Sequence, residues 1–180
     1  MQTFLPYTSF FKVAGILDNK RLNKQIVEAW QILTDRVPNK NHPACLMWKN
    51  NKGTLALYIK VLCREYTKRF DRVHSIQEKI NDLESYTAFK DKDIFFLSND
   101  PERTRIFCMS HKVNLLRKNF TYYREKFGIK TDSYEFLNEY TEGYFWPISH
   151  GETSKKHSLG WVEYYRIHPY EDTYAINSII

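Results

Sequence analysis

The arrangement in this chain most able to do chemistry is a glutamate on a helix, set among cations and amides. From Asp18 to Leu33 apolar residues recur at helical spacing: Leu22, Ile26, Ala29, Trp30 and Leu33. With Leu22 at zero and about 100° per residue, that stripe centres near 30°. Arg21, Lys24, Gln25 and Glu28 then fall at about 260, 200, 300 and 240°, on the side away from the stripe. One carboxylate, Glu28, thus sits among basic and amide groups, with Lys20 extending the positive rim. Such a carboxylate can stabilise a developing cation or take a proton, and the cations can track phosphates. The same pattern also serves a solvated helix face, with Lys24 and Glu28 as an i,i+4 pair contributing a few tenths of a kcal/mol.

Other basic residues point the same way. Lys60, Arg64, Lys68 and Arg69 fall on a second helical stretch, and residues 117–124 interleave cations and aromatics: Arg117, Lys118, Tyr122, Tyr123 and Arg124. Cations follow phosphates and aromatic faces stack on bases, so the mixture suits nucleic acid better than lipid. Burial of Tyr122 and Tyr123 at a helix end is the alternative. His42, before Pro43, either contacts phosphate or caps a helix. The net charge is +6 in 180 residues, which favours an anionic partner.

The six histidines and three cysteines have no metal-ligand spacing, and no phosphate-binding glycine loop or hydrolase signature occurs. No metal and no cofactor is called for. The odd, scattered cysteines read as reduced thiols. With no apolar leader and no membrane-length apolar run, a soluble intracellular monomer is expected.

The elements that must position these residues are helical. A second helix is expected over Thr54–Phe70, broken off from what precedes by Gly53. A third is expected from Val73 to Leu83. A fourth is capped by Asp100 with Pro101 at its first position, and carries Ile106, Met109, Val113 and Leu116 inward. Only Asp93–Leu97 reads as a strand. After Pro147 the character changes to a polar loop, Ser149–Lys156, and then an aromatic tail, Trp161–Tyr174. The expectation is an all-α fold: one compact helical domain over 1–147, with an irregular extension, 148–180, packing on it.

Several stretches together resemble one family. They are Met1-Gln2-Thr3-Phe4-Leu5-Pro6-Tyr7, Leu17-Asp18-Asn19-Lys20-Arg21-Leu22-Asn23-Lys24-Gln25 running into Glu28-Ala29, and His42-Pro43-Ala44 with Met47-Trp48. Cys63-Arg64-Glu65, His111, Leu115-Leu116-Arg117-Lys118, Tyr122-Tyr123 and Phe145-Trp146-Pro147 complete the set. Over residues 1–147 the chain is similar to the pyrimidine-dimer DNA glycosylase/AP lyase family, of the phage endonuclease V type, and most to a bacterial branch of it. The resemblance implies a helical bundle whose first long helix lies on double-stranded DNA. It also implies an N-terminal amine that attacks the sugar C1′, displaces the base and forms an imine, with β-elimination then nicking the strand. On this chain the nucleophile falls on Met1 and the stabilising carboxylate on Glu28. Lys20, Arg21, Lys24, Gln25, His42, Arg117, Lys118, Tyr122 and Tyr123 fall to DNA contact.

The α-amine suits the role, since its pKa of about 7.7–8.0 leaves it partly unprotonated near neutrality, unlike lysine at about 10.4. The chain departs from the type member at Gln2, where a small residue allows methionine removal. Here Met1 is expected to stay, so that either its own amine attacks or Glu28 activates water. A non-catalytic DNA-binding module and an RNA-binding protein are the competing readings.

Overall fold

A computed structural model describes residues 3–81 and 101–130 of the chain. Seven helices occur among them, and no strand: α1 (Phe10–Ile16), α2 (Asn19–Leu33), α3 (Pro43–Trp48), α4 (Lys52–Phe70), α5 (Ser75–Asn81), α6 (Pro101–Lys118) and α7 (Phe120–Phe127). The fold is all-α, as the sequence predicts. The strand expected at Asp93–Leu97 and the extension expected over 148–180 lie outside the described residues.

Four of the described helices, α1, α2, α3 and α7, start where a side chain takes up an N–H that lacks an intrahelical partner. Asp18 opens α2 by accepting from the Arg21 N–H at 2.9 Å. His42 opens α3 by accepting from the Ala44 N–H, with Pro43 at the first helical position. Asn119 opens α7 by accepting from the Tyr122 N–H. The α1 helix, which helical spacing of Phe10, Val13 and Leu17 would have signalled, is capped by Ser9, whose hydroxyl accepts from the Lys12 N–H.

Two sequence expectations shift at their edges. The second long helix begins at Lys52 rather than Thr54, and Gly53 is buried in its first turn. The helix expected from Val73 is shortened at its start to Ser75, because His74 Nδ1 accepts from the Ile76 N–H and Val73 is left exposed.

Among the described residues α4 is the centre of the bundle: α1, α2 and α5 all pack on it, and its contact with α2 is the broadest. Leu55, Tyr58, Ile59, Leu62 and Tyr66 of α4 are buried, facing Leu22, Ile26, Ala29, Ile32 and Leu33 of α2 within one hydrophobic core. Trp48 and Phe10 bracket Tyr58, at ring-centroid distances of 6.1 and 5.1 Å. The C-terminus of α6 reaches α2 through Arg21, whose Nη2 donates to the Lys118 carbonyl at 3.1 Å.

Cations of α4 also close neighbouring helices. Lys52 Nζ donates to the Ile32 and Leu33 carbonyls at the end of α2 and pairs with Asp35 at 3.1 Å. Arg69 donates to the Ala14, Gly15 and Leu17 carbonyls at the end of α1, and its Nε is 2.7 Å from Glu65. Favourable charge at a helix C-terminus and satisfied carbonyls coincide here. Arg69 therefore leaves the basic face of α4 to Lys60, Arg64 and Lys68. Replacing Arg69 with Met strips three carbonyls of a charged donor and should destabilise the fold by about 2 kcal/mol. Urea unfolding with an unchanged m-value is the measurement, and a loss no larger than that of a surface Lys68→Met control would contradict the capping role.

Candidate active-site cleft on the second helix

The outward face of α2 is one wall of a cleft of about 390 Å³, lined by Phe4, Lys20, Arg21, Lys24, Gln25, Glu28 and Lys118. Four cations surround one carboxylate. The first turn of α2 carries no acidic residue, although the positive end of the helix dipole favours one there. Lys20 and Arg21 instead add their charge to that of the dipole, an arrangement unfavourable for the isolated helix and attractive to an anion. Lys118 arrives from the last turn of α6, where the dipole favours a cation.

Glu28 is mostly withdrawn from solvent, with its side chain 14% exposed, whereas Lys24, 3.8 Å away, is 66% exposed. Lys24 is thus free to swing toward a ligand while Glu28 stays in place. Arg21 is held more firmly: Nη1 donates to Asp18 at 2.7 Å, Nη2 to the Lys118 carbonyl, and the guanidinium lies over the Tyr123 ring.

The chain's N-terminal segment reaches the cleft through Phe4. Gln25 lies one helical turn before Glu28, and its Oε1 accepts from the Phe4 N–H at 2.6 Å. The Tyr58 hydroxyl is 3.0 Å from the Phe4 carbonyl and 3.1 Å from the same Gln25 oxygen. Trp48 Nε1 donates to Thr3 Oγ1 at 2.9 Å, and the Leu5 N–H donates to His111 Nδ1 at 3.2 Å. Burial first, and then the negative charge of Glu28, pushes the Tyr58 phenol upward, so its hydroxyl remains a neutral donor.

The structure brings together Lys20, Arg21, Lys24, Gln25, Glu28 and Lys118 of the residues singled out in the sequence. Gln25 faces inward rather than toward solvent and is 1% exposed. The helical wheel set it on the polar side, about 90° from the apolar stripe, but the backbone of Phe4 lies against that face and turns its amide into an internal clasp. Tyr123 is wholly buried, its hydroxyl 2.9 Å from Asp18 Oδ2 and 3.1 Å from the Asp18 N–H. Its ring has no free face for a base; it fixes the start of α2 instead. Tyr122 is half-buried beside it, Arg117 is half-buried near the end of α6, and His42 caps α3, none of them lining the cleft. Met1 lies outside the described residues. Sequence reading gave no site role to Phe4 or Trp48, and placed Tyr58 only among the inward-facing residues of the second long helix. The only early signal was that Thr3-Phe4-Leu5 and Trp48 fall within the motifs of the family resemblance.

Among the described residues no cluster of His, Cys, Asp or Glu is disposed to hold a metal ion, and no helix is long and apolar enough to cross a membrane. Burial pushes the thiols of Cys63 and Cys108 up to about 12, which leaves both as unreactive thiols at neutral pH.

Fold and cleft together define an all-helical protein with a basic cleft around one shielded carboxylate. Residues 1–78 match the family described as pyrimidine dimer DNA glycosylase. The matched stretch supplies every lining residue of the cleft except Lys118. No curated protein and no solved structure matches the chain.

His111 gives the site a pH signature. Burial pushes its ring down to about 3, and because Nδ1 accepts from Leu5, the ring proton sits on Nε2. The unfolded chain takes up a proton near pH 6.5 that the folded chain refuses until about pH 3. Stability should therefore be level above that upper value and fall as the pH drops between the two. Unfolding free energies measured across this window should decline less steeply in His111→Asn, with His74, also lowered chiefly by burial, supplying part of the remaining slope. An identical slope in the variant would rule out a neutral His111.

Proposed function

We propose that this chain is a DNA glycosylase with AP lyase activity, excising a damaged or modified pyrimidine, with a pyrimidine dimer the first expectation. The observation that carries the reading is the cleft, where Glu28 stands among four cations and Phe4 is also in the lining. Phe4 N is three residues from the α-amine of Met1, which covalent geometry keeps within about 11 Å of it.

The lone pair of the Met1 amine attacks C1′ as the bond to the base breaks, and the base leaves with the electron pair. Ring opening gives a protonated imine, and loss of a C2′ proton expels the 3′ phosphate by β-elimination. The Glu28 carboxylate stabilises the positive charge that grows at the sugar and imine, and it is more effective for being shielded from water. Lys20, Lys24 and Lys118 hold backbone phosphates, with Arg21 fixed behind them. The target nucleotide must leave the stack to enter a cleft of this kind, and lesions that pair poorly do so at lowest cost. Action on DNA makes this an intracellular, DNA-associated protein. Gln2 keeps Met1 in place as the candidate nucleophile.

Borohydride should trap a covalent adduct between the protein and abasic-site duplex DNA, and blocking the N-terminal amine should abolish it. Undiminished adduct after blocking would overturn the amine's role. Base release without any adduct would assign the attack to water activated by Glu28. Glu28→Gln should slow base release by about a hundredfold or more while DNA affinity stays nearly constant; full activity in that variant would remove Glu28 from the mechanism. Lys118→Ala should weaken duplex binding for all sequences alike and reduce the slope of log Kd against log salt by about one. An unchanged slope would take Lys118 out of the phosphate contact.

A further inference from the structure

An N-terminal segment without a strand partner ordinarily frays, yet Thr3, Phe4 and Leu5 are all buried here. Four side chains from four helices hold it: Gln25 of α2, Trp48 of α3, Tyr58 of α4 and His111 of α6. Two of these converge on one residue, since Gln25 takes the Phe4 N–H and Tyr58 reaches the Phe4 carbonyl. They are also joined to each other through the contact between the Tyr58 hydroxyl and Gln25 Oε1. Hydrophobic burial alone would hold the Phe4 ring without fixing the direction of the backbone on either side. A donor and an acceptor on the same residue fix that direction.

Gln25 and Glu28 are also three residues apart on one rigid helix, and thus neighbours on its surface. The element that presents the carboxylate is therefore the element that grips the chain three residues from its amine. We propose that Gln25 and Tyr58 are positioning residues that set the approach of the N-terminal amine to the cleft beside Glu28. The inference rests on the amine chemistry proposed above. Small errors of placement are costly in such a reaction, so the clasp acts on the rate of imine formation more than on DNA affinity.

Gln25→Met keeps the side-chain length without the acceptor, and Tyr58→Phe keeps the ring between Phe10 and Trp48 without the hydroxyl. For each, the single-turnover rate of borohydride-trapped adduct is measured at saturating abasic DNA, with Kd and Phe4 amide exchange. Ile59→Val, in the same buried stretch of α4, serves as the control for stability alone. Both clasp variants should lose at least about tenfold in trapping rate with Kd within about twofold, and exchange the Phe4 amide faster. The control should keep the wild-type rate. Unchanged trapping in both clasp variants overturns the proposal, as does an equal loss in the control. A wild-type protein giving neither adduct nor base release overturns the amine reading itself, and the positioning role with it. Wild-type activity with undisturbed variants overturns the positioning role alone.

Discussion

The amide of Gln25 is the point on which the cleft depends. A polar side chain 1% exposed on a helix that otherwise buries aliphatic groups must find partners or cost about 1–3 kcal/mol. Its oxygen finds the Phe4 N–H and the Tyr58 hydroxyl. Because those groups come from the N-terminal segment and from α4, satisfying one amide draws three parts of the chain to one place. Trp48 and His111 extend the arrangement to α3 and α6 through the residues on either side of Phe4. The segment that brings Phe4 to the cleft is therefore part of the folded core.

Electrostatics complete what the clasp begins. Lys20 and Arg21 stand where the α2 dipole is already positive, so they oppose the helix's own preference. Their repulsion is moderated by Asp18, which caps the helix and pairs with Arg21, and by the Lys118 carbonyl, which accepts from the same guanidinium. Tyr123 holds Asp18 in turn. What remains is a positive cleft with one carboxylate held still at its wall. A polyanion entering it loses little of its counterion-release advantage to protein reorganisation, since the charges are already assembled.

The cations of α4 show how similar residues take different roles. Lys52 and Arg69 end helices α2 and α1, and their charge is absorbed by carbonyls and by Asp35 and Glu65. Lys20, Lys24 and Lys118 have no such commitment shown to helix ends and line the cleft instead. Composition gives the same excess of positive charge in both cases. Only the position of a carbonyl at a helix terminus separates a cap from a cation that lines the cleft.

Local rules legible in the chain settled much of this protein. Periodic apolar residues and Asp18 fix α2, Pro101 starts α6, and the angular position of Glu28 among Lys20, Arg21 and Lys24 survives folding because a helix preserves it. Tertiary structure decided what periodicity has no means to express. It turned Gln25 inward, because the backbone of Phe4 lies against that face of α2 from outside the helix. It buried Tyr123 against Asp18 from more than a hundred residues away, and it drew Lys118 to the far wall of the cleft. A single helix specifies which side chains point together, but which segment lies over them is set by contacts remote in sequence. Those contacts turned a basic helix with a glutamate into a cleft lined also by Phe4 and Lys118.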